Sequence, residues 1–168
     1  MILVVMGVSG SGKTSVGRKL AEALGAAFVE GDRYHPPSNV AKMSAGTPLT
    51  DEDRWPWLRA LRDAMDALHV AGRDVVATCS ALKQSYRNLL AEDRPHLRFV
   101  YLKGSEALIG ERLKRRKGHF MPPELLHSQF VALEEPRDAI TVDITPPVDD
   151  IVAAILARLG RGKAGGSP

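Results

Sequence analysis

Only one cysteine, Cys79, occurs in the 168 residues, so no intrachain disulfide framework can form. No cysteine spacing of the metal-ligand kind exists either, and a reducing cytoplasm is the expected home. Aromatic residues are scarce at 5%, and the net charge is only +3, with an isoelectric point near 9.2. A nucleic-acid partner is therefore not expected, since such proteins rely on stacking aromatics and a strong basic surface. Part of the positive excess sits near the C-terminus, at Arg158, Arg161 and Lys163. The remainder suits small anionic ligands such as nucleotides. Long apolar runs are also missing. The stretch from Met1 to Met6 is too short for a signal sequence or a membrane span, so no membrane partner is expected. No segment repeats.

What is present is the balance of a soluble globular domain, with 44% hydrophobic and 26% charged residues. Strand and helix patterns alternate. Ile2 to Met6 reads as a fully buried strand, and Thr14 to Leu24 as a helix that Gly25 can stop. Ala27 to Glu30 is a second strand, and Lys42 and Met43 lie on a less distinct short helix. Thr50 can cap a long helix with Asp53 three residues on, close to a capping box, and Leu58, Leu61, Met65 and Leu68 share one face. Further strands are expected at 74–79, 97–102 and 140–144, and further helices at 83–90, 105–116, 124–133 and 148–159. The fold class is therefore α/β, three-layered, with a parallel sheet of about five strands. Residues 1–159 form one domain, and 160–168, with four glycines, form an expected disordered tail.

Residues 7 to 14 carry the chemistry. Gly7, Gly12, Lys13 and Thr14 match the P-loop pattern, between a strand and a helix as that motif requires. Glycines let the backbone N–H groups of Ser9, Gly10, Ser11 and their neighbours turn towards phosphate oxygens, and the helix N-terminus adds partial positive charge. Lys13 is placed to reach the β and γ phosphates of ATP, and the Thr14 hydroxyl to ligate Mg²⁺. A P-loop by itself names no acceptor. The chain is short for a motor, and no Asn-Lys-x-Asp segment reads guanine. No strand ends in an unambiguous Walker-B aspartate, which small kinases often do without.

A basic segment follows the fourth strand. Arg112, Lys114, Arg115, Arg116, Lys117 and His119 fall within eight positions. Guanidinium groups brought down on closure stabilise a transferring phosphoryl group, and closure excludes water. Gly118 offers a hinge, and Pro122 and Pro123 restart a helix. A mobile lid over about 112–124 is the expectation.

Four segments together resemble the gluconate kinase family of small P-loop kinases, relatives of the shikimate and adenylate kinases. They are Met6 to Thr14; Gly31 to Pro36, continuing through Asn39, Lys42 and Asp51 to Arg54 and Leu58; Cys79 to Lys83 with Tyr86 and Arg87; and Lys117 to Met121 with Gln129 and Phe130. The likeness runs from about Leu3 to Leu159, nearly the whole chain. Glu30 stands where the family commonly has aspartate, and Gln84 and Asn88 replace a usual lysine and aspartate. The resemblance implies ATP- and Mg²⁺-dependent phosphorylation of D-gluconate at its C6 hydroxyl, in a cytoplasmic homodimer. Alternatives are a kinase for another small acid such as shikimate, disfavoured because Cys79-Ser80-Ala81 replaces a Gly-Gly-Gly segment, and a nucleotide-dependent binding protein.

Resemblance and chemistry together assign roles. Asp32, just past the second strand, orients the C6 hydroxyl and takes its proton. Arg54, Lys83 and Arg87 are the cationic candidates for the substrate carboxylate or for phosphate. Lys83 and Arg87, four apart on one helix face, are expected above the same pocket rim. His35, His119 and Gln129 face sugar hydroxyls by resemblance. Arg112 resembles an arginine packing on adenine, and Arg116 a lid arginine reaching the phosphates. Sequence leaves open which of Arg115 and Arg116 points inward. Trp55 and Trp57 read as packing anchors, and Cys79 as a buried small residue.

Overall fold

The computed structural model describes residues 1–116 and 122–161. The middle of the expected lid (117–121, with His119) and the tail from 162 onward lie outside the described residues. Five parallel strands form one sheet in the order β2-β3-β1-β4-β5. They are β1 (Ile2–Met6), β2 (Ala27–Glu30), β3 (Val75–Thr78), β4 (Leu97–Lys103) and β5 (Ile140–Asp143). The helices are α1 (Lys13–Leu24), α2 (Pro37–Ser44), α3 (Asp51–Val70), α4 (Gln84–Ala91), α5 (Glu106–Arg115), α6 (Pro123–Ala132) and α7 (Val148–Arg158).

β1 is central and fully buried, which explains its unbroken apolar run. Its side chains alternate between two cores. Leu3 and Val5 join Val16 and Leu20 of α1, Ile109 of α5 and Ile151 of α7. Ile2, Val4 and Met6 join Trp57, Leu58, Leu61 and Met65 of α3 and Tyr86 and Leu90 of α4. Period-two alternation thus makes the three layers. Because β1 lies between β3 and β4, the loop leaving its C-terminal end opens at the crevice where an α/β sheet takes its ligands.

Two helices carry the expected caps. The Thr50 side chain accepts the Asp53 N–H while the Asp53 carboxylate accepts the Thr50 N–H, a reciprocal capping box. The Ser105 hydroxyl accepts the Leu108 N–H at 3.1 Å. Two expectations change. α2 begins at Pro37, ahead of the short helix expected around Lys42, because Pro37 sits in its first turn, where a missing N–H costs nothing. Gly160, at φ +71, and Arg161 close the end of α7, donating to Ala157 O at 3.1 Å and Leu156 O at 2.8 Å, so they belong to the helix cap.

Candidate active site

The donor loop joins β1 to α1. Gly10 and Gly12 adopt left-handed φ values of +81° and +95°, and a Cβ on Gly10 would lie 2.7 Å from Leu113. Lys13 folds back over the loop, donating to the Gly7 and Val8 carbonyls at 3.0 Å each. Burial holds its ammonium below the usual lysine range, with Arg116 adding to that effect and the carboxylates of Asp32 and Glu30 opposing it. These four side chains therefore share one electrostatic neighbourhood. The Thr14 hydroxyl donates to Glu30 at 3.0 Å, and Thr78 donates to the other Glu30 oxygen at 2.6 Å. Sequence reasoning treated Glu30 as a flanking departure. Its signal was position: an acidic residue ending the strand beside the P-loop threonine.

The acceptor side is built on the turn after β2. Gly31 passes so close to β3 that a Cβ would lie 1.9 Å from the Thr78 carbonyl oxygen. Trp57 Nε1 donates to the Gly31 carbonyl at 2.8 Å, fixing the turn that presents the exposed Asp32. His35 stacks on Trp57 with centroids 4.0 Å apart. Its Nδ1 lies 3.2 Å from Asn39 Nδ2, a donor that also bonds the Asp53 carbonyl at 2.8 Å. Nδ1 is thus the acceptor, and the ring proton sits on Nε2. Burial lowers the His35 pKa, the Asp32 carboxylate opposes that shift, and nearby Arg54 adds to it.

Beyond His35 lies a charged cluster. Lys83 donates to Asp51 at 3.0 Å, Tyr86 donates to the same Asp51 oxygen, and Arg54 donates to Leu49 O at 2.5 Å and to the Tyr86 hydroxyl at 3.3 Å. Burial and the Asp51 carboxylate push the Tyr86 phenol up to about 12. One cavity of about 740 Å³ runs from Ser9 and Lys13 past Asp32 and His35 to Arg54 and Lys83. That volume suits a small ligand.

Comparison with known proteins gives this cavity its context. A family model described as shikimate kinase matches residues 9–139. The thermoresistant gluconokinase of Escherichia coli K12 is 47% identical over 96% of this chain and 95% of its own length. The gluconokinase of Gluconobacter oxydans is 54% identical, over 81% of this chain and 76% of its own. The chain belongs to the gluconokinase family. A solved gluconokinase structure from Sinorhizobium meliloti 1021 superposes with a TM-score of 0.86 at 52% identity, covering 95% of this chain and 91% of that one. Shikimate kinase from Aquifex aeolicus, at 18% identity and a TM-score of 0.55, shares the fold alone.

Within this gluconokinase-family fold the remaining expected residues separate. Arg87 does not reach the cavity rim. It is buried, donating to the carbonyls of Ala81 at 2.7 Å, Leu82 at 3.1 Å and Glu134 at 2.7 Å, and to the Gln84 side chain at 3.1 Å. The shared helix face failed because Lys83 is the extended N-cap of α4 and not a helical residue. Gln129 lines the cavity, but both ends of its amide engage Ser9, at 2.8 Å and 3.0 Å. Arg112 donates to the Ile144 carbonyl at 2.8 Å, beside the end of β5. Arg115 points outward to Glu111 at 3.7 Å, whereas Arg116, capping α5, lies within electrostatic range of Lys13. Trp57 is buried, Trp55 meets Tyr86 edge-on at 5.6 Å, and burial pushes the Cys79 thiol up to about 12, which makes it a poor nucleophile.

Proposed function

We propose that the chain transfers the γ-phosphoryl group of ATP to the C6 hydroxyl of D-gluconate, giving 6-phospho-D-gluconate and ADP. The observation that carries this reading is the continuous cavity with the P-loop lysine at one end and Asp32, Arg54 and Lys83 along the other. Gluconate is an open-chain monoanion, long enough to place its carboxylate by the two cations while C6 lies near Asp32. Arg54 and Lys83 bind the carboxylate, and His35 donates its Nε2 proton to a sugar hydroxyl. Asp32 orients the C6 hydroxyl and takes its proton as the oxygen attacks the γ-phosphorus in line. The bond to the β-phosphate oxygen breaks, and ADP leaves with that electron pair. Lys13 exchanges its loop carbonyls for phosphate oxygens, and Arg116 adds positive charge on the transferring group.

Mg²⁺ fits this reading. The Thr14 hydroxyl and the Glu30 carboxylate, 3.0 Å apart, are hard oxygen donors beside the donor loop, as a cation that retains several waters requires. When bound it would neutralise phosphate charge. By resemblance, Arg112, which donates to the Ile144 carbonyl, would pack on the adenine of bound ATP. A cytoplasmic homodimer completes the reading. Light scattering on the purified chain tests the dimer.

ADP release measured with gluconate, shikimate, AMP or no acceptor tests the activity. Release stimulated by gluconate alone supports it. Stimulation by shikimate instead, the reading closest to the matched family model, overturns the acceptor assignment. ATP binding with no stimulated release overturns the kinase.

A further inference from the structure

Gln129 lies on α6, 120 positions from the donor loop, yet its amide closes on one residue of that loop. Oε1 accepts the Ser9 backbone N–H at 2.8 Å, and Nε2 donates to Ser9 Oγ at 3.0 Å. Such reciprocal pairing fixes both the orientation of the amide and the backbone plane at Ser9. The loop needs fixing, since Gly7, Gly10 and Gly12 all sit at positive φ and glycine contributes little stiffness. Its root is tied by the Ser11 N–H to the Val8 carbonyl at 3.2 Å and by the Lys13 ammonium. One flank of the apex is braced where Gly10 meets Leu113 and Ile109 of α5. Gln129 braces the other.

The chain just past the C-terminal end of α6 is fastened to the acceptor side. Glu134 donates its N–H to the Leu82 carbonyl at 2.8 Å, and its own carbonyl accepts from Arg87 at 2.7 Å. Leu82 and Lys83 line the cavity. The last turn of α6 and the residues just after it therefore link the apex of the phosphate loop to residues that line the acceptor pocket. We propose that Gln129 is a positioning residue of the donor loop, holding Ser9 at two points so that the phosphate cradle is pre-formed and its order depends on the seating of α6. The sequence placed Gln129 at the sugar. Here its polar atoms are committed to the loop, and its effect on catalysis passes through Ser9. The inference rests on ATP binding at the P-loop and not on the identity of the acceptor.

Pre-formation lowers the ordering cost of binding, so losing it weakens the complex without removing a ligand contact. The test compares the wild-type chain with Gln129→Met, which keeps the volume and removes both hydrogen bonds, with Ser9→Ala, and with the double variant. ATP dissociation constants are measured calorimetrically without acceptor, and kcat and both KM values by ADP release. Gln129→Met should weaken ATP binding about five- to tenfold. Ser9→Ala, which keeps the backbone bond, should weaken it less, and the double variant should be no worse than Gln129→Met. The KM for gluconate should move less than about twofold. A fivefold or larger rise in that KM with unchanged ATP binding would make Gln129 a sugar ligand and overturn the proposal. Tighter ATP binding would overturn it too, showing that Gln129 competes with phosphate for Ser9. So would a lowered melting temperature with ATP binding and turnover unmoved, the mark of plain packing. If wild-type chain binds ATP but gluconate releases no ADP, the acceptor reading fails while the ATP-binding comparison still decides the role of Gln129.

Discussion

Replacing Arg87 by alanine removes the donor that three backbone carbonyls share, those of Ala81, Leu82 and Glu134. Arg87 is only 2% exposed, so water cannot simply take the place of its guanidinium. Stranding a buried carbonyl costs about 1–3 kcal/mol. The Leu82 carbonyl keeps the Glu134 N–H, so two are stranded, summing to about 2–6 kcal/mol, and burial works against the charged guanidinium itself, lowering its pKa. Against that offset, and with partial collapse around the alanine, a net loss of about 3 kcal/mol is expected. For a domain of this length that corresponds to a fall in Tm of about 6–12 °C. Arg87→Lys should recover only part of it, because an ammonium cannot reach carbonyls on two segments as a planar fork does. The assay is thermal unfolding followed by circular dichroism, paired with steady-state kinetics at a temperature where each variant is folded. A direct carboxylate ligand behaves in the opposite way: Tm holds and the KM for gluconate rises steeply. If Arg87→Ala keeps its Tm within a degree while that KM climbs tenfold or more, the structural role assigned here is refuted.

Asp32→Asn should lower kcat about a hundredfold while leaving ATP affinity within about twofold, since Asp32 meets the acceptor and not the nucleotide; an unchanged kcat removes Asp32 from the reaction. Glu30→Gln should raise the Mg²⁺ concentration needed for half-maximal rate about tenfold, with a smaller effect at saturating metal; a Mg²⁺ profile that overlays the wild type excludes Glu30 from the metal site. His35 and His96 both have pKa values lowered chiefly by burial, and His96 stacks on His69 with centroids 4.0 Å apart. The unfolded chain takes up protons on these rings as pH falls through about 6.5, and the folded chain resists, so stability is full above that value and falls below it. Each ring contributes a slope of at most about 1.4 kcal/mol per pH unit. Urea midpoints from pH 8 to pH 5 should decline only below about 6.5, and His96→Gln should flatten that decline; a midpoint that rises on acidification contradicts the burial argument.

Much of the architecture was legible in the order of residues because it rests on short-range rules. The run from Ile2 to Met6 reads as a buried strand since both of its faces are covered. Thr50 and Asp53 announce their helix because a capping box closes over three residues. α2 starts ahead of the short helix expected at Lys42 and Met43, since Pro37 is pre-organised for a first helical turn. The failure over Lys83 and Arg87 has a similar origin. Helical spacing assumes that both residues are helical, and the extended backbone at Lys83 sends the two side chains to different places.

The phosphate cradle was legible because Gly7 to Thr14 are neighbours in sequence between a strand and a helix; its bracing by Gln129 and Leu113 was not. The acceptor half is different in kind. Asp51, Arg54, Lys83 and Tyr86 meet across 35 positions, and Ser9 and Gln129 across 120. Burial decided which arginine became a brace, and partner geometry decided which ring nitrogen of His35 keeps its proton. Such outcomes depend on which helix lies over which strand end, a question of packing between distant segments, and short-range propensity carries no record of it.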